Sequence, residues 1–443
     1  MIRLRIMLSN RKRFVFSAAM AAVFVVLAGG ANALATTVWT VSKASSNPAC
    51  SPSAFTCNTI GSAVGAALAG DVIVVGPGTY NEYVDITKSI TLLGARAGND
   101  ARIDRHDPSK ESIVNALSGQ DAIDVYDANV VIDGFTVQGA AGNHSGIMVE
   151  EDTGSYTTRL LNNILQKNTA GVYLYYSHYG NVVEHNLFRN NSSESSLAGY
   201  GILIYYSAYD LINENEFTGN KTAAIYADWY MYYGTITNNT SENDGAFVVF
   251  AYQNIGVKFC HNHGKNFGRG AFSGAGDAAV AIGDNTYPQD YNNEYLDISD
   301  NDLENGEAPI VNGIAFTTFL GTSAVPSYVN VTNNRIKGFP ENGIVVEQSG
   351  GVGTLFGAGS YIVGNEVSDN GNDGILIEGA SPSYNTGISL FGNEAEGNHM
   401  YDCQDTSSGA GPLGANTWWN NAGNLSSPNG LCTPGRRHDH DYR

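Results

Sequence analysis

An all-β coil of short parallel strands, three to each rung, is the fold class that this 443-residue sequence predicts. Two spacings and one compositional bias predict it. A Gly/Ala-Ile-x-Ile element recurs at Gly146, Gly171, Gly201, Ala224, Ala246, Ala279, Gly313, Gly343 and Gly374, at steps of 22 to 34 residues. Self-similarity with a near-constant minimum and variable insertions marks a solenoid. In the second half of each repeat stands an Asn, from Asn163, Asn186 and Asn215 through to Asn393, each three residues after an apolar side chain such as Leu160, Val183 or Ile212. Five repeats place a further Asn five positions on, at Asn168, Asn191, Asn220, Asn370 and Asn398. Such turns tolerate left-handed backbone, and stacked Asn side chains can ladder between rungs. The competing solenoid, a leucine-rich repeat, needs a helix or comparable return segment. These repeats are too rich in Gly, Asn and β-branched residues for that.

Taken in order, the chain opens with Arg3, Arg5, Arg11, Lys12 and Arg13, an apolar run from Phe14 to Leu27, and the small residues Ala31 to Ala35. Residues 1–35 read as a secretory signal peptide, because the run falls short of the roughly 20 apolar residues a membrane span needs. Residues 36–95 are the N-terminal cap and first rungs. Within them Thr59 to Gly70 sets Ile60, Val64, Ala67 and Leu68 on one helical stripe, a lid for the open end of the coil. Residues 96–400 carry the repeats. Residues 401–435 form a C-terminal cap containing Trp418 and Trp419, and the charged tail 436–443 is expected to be disordered. Five cysteines suit an oxidising compartment and leave one over. The expected pairs are Cys50–Cys57 and Cys403–Cys432, with Cys260 free.

From about Val72 to Asn398 this pattern resembles the right-handed parallel β-helix family, the pectate-lyase-like superfamily. The resemblance implies a single-stranded right-handed parallel β-helix with an N-terminal capping helix. It does not name an activity, since that superfamily holds polysaccharide lyases, hydrolases, esterases and epimerases as well as proteins without catalysis. The Asp-Phe-x-Phe-Gly and Arg-x-Trp elements of pectin methylesterases and the Arg-x-Pro-x-x-Arg of pectate lyases are absent. Arg335-Ile336-Lys337 matches a polygalacturonase tripeptide, but that family's paired Asp-Asp and Gly-His-Gly elements are missing.

In polysaccharide-active members the outer face of the Gly-Ile-x-Ile strand forms the substrate groove. The second and fourth residues after the Gly or Ala should face outward there. The fourth positions make a column of Tyr126, Glu150, Tyr175, Tyr205, Asp228, Phe250, Gly283, Thr317, Glu347 and Glu378. Its middle is aromatic, and the expected substrate-binding residues are Tyr173, Tyr175, Tyr205, Tyr226, Asp228 and Trp229, whose rings offer sugars flat apolar faces. Tyrosine is also simply a good strand residue that stacks on its own kind. The column's end is acidic. Glu347 and Glu378, with Asp373 beside them, are the expected catalytic carboxyls, because like charges on successive rungs should raise one pKa. They are equally what the surface of an acidic protein shows. A second acidic patch is Glu150, Glu151 and Asp152.

The formal net charge is −20, and removal of the leader leaves 18 basic residues against 43 acidic ones. Nucleic acid and anionic membranes are therefore poor partners. A polyanionic glycan would need a bridging cation, and calcium is the cofactor the acidic positions suit; no metal ligand set is assigned. The expectation is a secreted, cell-surface or periplasmic monomer that binds, and in the enzyme reading cleaves, an extracellular glycan. The alternative is a non-catalytic surface or matrix binding protein on the same scaffold.

Overall fold

The computed structural model describes residues 36–434 apart from 44–49, 104, 152–153, 193–198, 269–277, 285–292, 307–311, 319–325, 348–358, 381–382 and 408–415. The leader at 1–35, the tail at 436–443 and Asp152 lie outside the described residues.

From Thr37 onward the chain forms three parallel sheets, a first of 15 strands, a second of 12 and a third of 13. Neighbours in each sheet lie three strands apart along the chain through the repeats, so each rung gives one strand to each sheet. This is the all-β, single-stranded, right-handed parallel coil expected from the repeats. One rung shows the plan. Ala170–Tyr175 lies in the third sheet, Val182–Glu184 in the first and Leu187–Arg189 in the second.

Alternation fills the interior. Val172, Leu174, Val183 and Phe188 show no exposed surface, and so do Ile202, Ile204, Ile212 and Phe217 on the next rung. Phe188 and Phe217 stack at 4.8 Å. The corner between the first and second sheets is a two-residue bend. A left-handed residue such as His185 or Glu214 precedes the Asn that follows it. Asn186 Oδ1 accepts the backbone N–H of Asn163 at 2.8 Å, and its Nδ2 donates to Leu160 O. The same pattern runs without a break to Asn421. Each amide thus satisfies backbone groups that the bend would leave buried and unpaired.

The lid helix is shorter than its stripe suggested. It spans Ile60–Ala66 and buries Ile60, Ala63 and Val64. The Glu82 carboxylate accepts the N–H groups of Ile60 and Gly61 at its start, and Lys88 Nζ donates to Gly65 O and Ala67 O at its end. Ala67 turns extended, Leu68 N donates to the Asp71 carboxylate, and the Leu68 side chain is exposed, contrary to the expected stripe. At the other end the Trp418 indole donates to Asp405 and is buried, whereas Trp419 stacks outside on Phe391. The disulfides are Cys50–Cys57 and Cys403–Cys432, with Cys260 free. Among the described residues no helix is long and apolar enough to cross a membrane.

Between the first rungs the chain leaves the coil, roughly from Ala95 to Glu111, and lies against its outside. Ala101 packs on the outward Ile164 and Leu187. The buried Arg105 pairs with Glu111 and donates to the carbonyls of Phe135 and Asn162. This strap explains two apolar residues at positions that otherwise face solvent.

Candidate functional site

The third sheet presents the outward face that the repeat predicted, with two corrections of register. Glu150 pairs with Tyr126 and Tyr175, and Tyr175 with Tyr205. The next strand carries a bulge. Ile204 pairs with Ala227, but Tyr205 pairs with Trp229, so Asp228 is the extra residue and drops out of the column. Trp229 takes its place and is itself paired with Tyr252. The second correction is Phe250. It pairs with inward Ala227 and Ile282 and is fully buried, because the rung starts one residue later than Ala246 implies.

The outcome is an unbroken aromatic line. Tyr175 and Tyr205 stack at 5.5 Å, Tyr205 and Trp229 lie 6.4 Å apart, and Trp229 and Tyr252 lie 5.0 Å apart. Tyr173 faces the same side and touches Tyr175 at 5.4 Å. Tyr226 also faces outward, yet it is nearly covered, with the Tyr200 ring 5.1 Å away. Asp228, held in the bulge among these rings, has its carboxyl pushed up to about 7 by burial.

Toward the N-terminal cap the same face opens into a cleft of about 290 Å³ lined by Tyr83, Asp85, Asp124, Tyr126, Met148 and Glu150 among others. Asp85 and Asp124 are direct partners on neighbouring strands. The Tyr83 hydroxyl donates to Asp124 Oδ2 at 2.7 Å, and Asp124 Oδ1 is buried without a hydrogen bond. Burial pushes the Asp124 carboxyl up to about 6. The Tyr83 hydrogen bond lowers it, while the charges of Asp121, Asp85 and Glu150 raise it further. A carboxyl pushed up to about 6 is suited to act as a general acid. Sequence reasoning missed Asp85 and Asp124. The signal is their place as second-position residues of adjacent rungs, ahead of the first full Gly-Ile-x-Ile element at Gly146.

At the far end Glu347 and Glu378 each follow directly on one of two neighbouring strands, in which Ile344 pairs with Ile375 and Val346 with Ile377. Glu347 accepts from the Thr317 hydroxyl at 2.6 Å, and Asn385 Nδ2 donates to the carbonyls of both Glu347 and Glu378. Asp373 is buried in the preceding turn. It continues a ladder from Asn312 and Asn342, and its carboxylate accepts the Tyr401 N–H at 2.9 Å. Burial pushes its carboxyl up to about 6, the Tyr401 N–H lowers it, and the Glu378 charge raises it. In the other acidic patch Glu151 is buried and accepts from Ser177 Oγ and His178 N, a structural role. Among the described residues no three His, Cys, Asp or Glu side chains group as a metal site.

Comparison with known proteins agrees with the architecture. The family described as "Right handed beta helix region" matches residues 121–287. No curated protein matches the sequence significantly. Among solved structures the chain is similar to the catalytic domain of a GH87 α-1,3-glucanase in complex with nigerose. The identity is 15%, with 85% of this chain and 70% of that chain covered and a TM-score of 0.55. That catalytic domain with tetrasaccharides matches at 13% identity over the same shares, with a TM-score of 0.54. A mannuronic acid specific polysaccharide family 6 lyase from human gut microbiota matches at 13% identity, covering 80% of this chain and 81% of that one, with a TM-score of 0.51. At such identities the likeness is one of fold. The chain folds as a right-handed parallel β-helix, and its residues 121–287 match the model of that repeat.

Proposed function

We propose that this protein is exported through residues 1–35 and binds an extracellular polysaccharide on the outer face of its third sheet. The observation that carries the reading is the in-register line of Tyr175, Tyr205, Trp229 and Tyr252, none of which is needed to fill the interior. Aromatic faces rimmed by hydroxyls suit pyranose rings, which are apolar on their faces and polar at their edges. The flanking carboxylates of Asp85, Asp124 and Glu150 disfavour a polyanionic chain, so a neutral glycan is the expected ligand. Saccharide complexes of a glucanase with the same fold support this class of ligand.

Replacing Tyr175 and Tyr205 together with Ala is expected to weaken oligosaccharide binding at least tenfold, about 1.4 kcal/mol. A glycan array, followed by calorimetry on the hits, measures it. Binding that survives the double change intact would reduce the aromatic line to a structural stack.

A second reading, cleavage of the bound chain, is favoured by Asp124. Its raised carboxyl would act as general acid, with Asp85 as the facing carboxylate about one strand spacing away, near 4.8 Å between backbones. Glu347 and Glu378, with Asp373 behind them, are the other proposed pair. Release of reducing ends from any bound glycan decides between the places. Asp124→Asn should abolish it, and in the wild type the rate should fall as pH rises past about 6, where Asp124 loses its proton. Loss only in Glu378→Gln would move the chemistry to the far end, and no release from any hit would leave a binding protein.

A further inference from the structure

The aromatic surface is not confined to the line along the coil. It also extends along the strands. Two third-sheet strands are far longer than the three residues common elsewhere, Tyr200–Ala208 with nine and Ala223–Tyr232 with ten. Both continue past the outward column and carry tyrosines with them. Beyond Tyr175 and Tyr205 come Tyr176 and Tyr206, stacked at 4.7 Å and within 2° of parallel, and Tyr206 meets Tyr230 at 4.3 Å. Tyr230 touches Tyr232 at 5.8 Å, and around the corner Tyr209 and Tyr233 stack at 5.7 Å with both rings exposed.

The backbone holds these tyrosines in a conformation that glycine or asparagine adopts more readily. Tyr176, Tyr206 and Tyr230 all have positive φ, at 50°, 56° and 57°, and so do Tyr209 and Tyr233, at 62° and 53°. A bulky residue in the left-handed region is strained. In the outer column Gly180 and Gly256 stand on either side of Tyr209 and Tyr233, and Tyr295 and Tyr328 take the same left-handed turn further along, at 57° and 53°. Left-handed residues recur at bends throughout the coil; what sets these rungs apart is that successive bends carry tyrosines whose rings stack on one another.

We propose that the glycan crosses the coil instead of following its axis, running along the strand direction from Tyr175 and Tyr205, over Tyr206 and Tyr230, to Tyr209 and Tyr233. This rests on the binding reading above and adds to it a direction and a length. Tyr209 lies four residues beyond Tyr205, at most about 13 Å further along the strand. Only a chain of several sugar units reaches both ends. The ligand class is therefore a linear neutral polysaccharide recognised over several units, not a mono- or disaccharide.

The test uses the secreted protein and soluble linear glucan oligosaccharides of two to eight units, α-1,3- and β-1,4-linked, measured by calorimetry. Tyr209→Gly with Tyr233→Gly installs the residue that neighbouring rungs carry there, so the melting temperature should not fall. Affinity for the longest oligosaccharides should drop at least fivefold while that for di- and trisaccharides stays unchanged. Tyr295→Gly with Tyr328→Gly, a stacked and exposed pair further along the coil, should leave the long-chain affinity within twofold. The opposite pattern, loss at Tyr295 and Tyr328 and none at Tyr209 and Tyr233, overturns the crossing direction while leaving the binding reading intact. No binding of any oligosaccharide by the wild type overturns both. Sedimentation velocity completes the test, because a dimer that the Gly variant dissociates would assign the outer tyrosines to self-association and overturn the proposal.

Discussion

At pH 8, Asp244→Asn is expected to raise the free energy of unfolding by about 2–4 kcal/mol, and at pH 4 to change it little. Asp244 extends the second ladder, taking the position that Asn220, Asn191 and Asn168 hold on preceding rungs. Its Oδ1 accepts both the backbone and side-chain N–H groups of Asn220, and Oδ2 accepts from the Ser241 hydroxyl at 2.7 Å. The side chain is fully buried, and burial pushes its carboxyl up to about 7 against the lowering effect of those hydrogen bonds. The sign follows from the raised pKa. Below the unfolded value near 4 both states are protonated and nothing is lost. Between about 4 and 7 the unfolded chain ionises while the folded one holds its proton, so stability falls as pH rises. Above 7 the full cost remains, roughly three pKa units at about 1.4 kcal/mol each. An amide keeps the shape, does not titrate, and can donate to Ser241. Unfolding midpoints in denaturant at pH 4.5 and pH 8 check this, and an equal gain at both would show that the proton is not the cause. Asp210 is also pushed up to about 7 by burial, but its Oδ2 lacks a partner. Asp210→Asn would bury an unsatisfied donor there, at a cost of about 1–3 kcal/mol, and should gain less.

Ile204→Ala should cost about 2–5 kcal/mol of stability, whereas Tyr205→Ala, its neighbour, should stay within about 1 kcal/mol. Ile204 has no exposed surface and stands in line with Leu174 and Ala227 inside the coil. Truncation there leaves a cavity that rungs held by continuous hydrogen-bond ladders cannot close, so the transfer and cavity terms add. Tyr205 points the other way and loses ring contacts with Tyr175, Tyr176, Tyr206 and Trp229 at the surface. Thermal or denaturant unfolding of the two variants separates them. Equal losses would mean that the outward ring stack carries structural weight.

Much of this architecture can be read from the chain because its signals are local. A two-residue period separates Val172 and Leu174 from Tyr173 and Tyr175 whatever the rest of the molecule does. The Asn at each bend answers a backbone need that arises within a few residues. The same locality explains both cysteine pairs, whose members close terminal elements. The register errors at Asp228 and Phe250 have the opposite origin. Whether Asp228 or Trp229 joins the column depends on a bulge between two strands, a property of their pairing and not of either strand alone. Ala246 looks like a rung start, but pairing of Val248 with Ile225 and Val280 shifts that rung by one and turns Phe250 inward.

By itself, then, the sequence determined the coil, its three strands per rung, the Asn bends and which face of each strand meets solvent, because period and turn chemistry act over a few residues. Tertiary structure alone decided what that face is made of. Stacking set Asp85 beside Asp124 across 39 residues of chain. The strap from Ala95 to Glu111 covered Ile164 and Leu187, and the long strands carried a patch of tyrosines around a corner. Each of these depends on which rungs become neighbours and on what the intervening insertions cover, and a repeat with variable insertions does not write that into any one of its rungs.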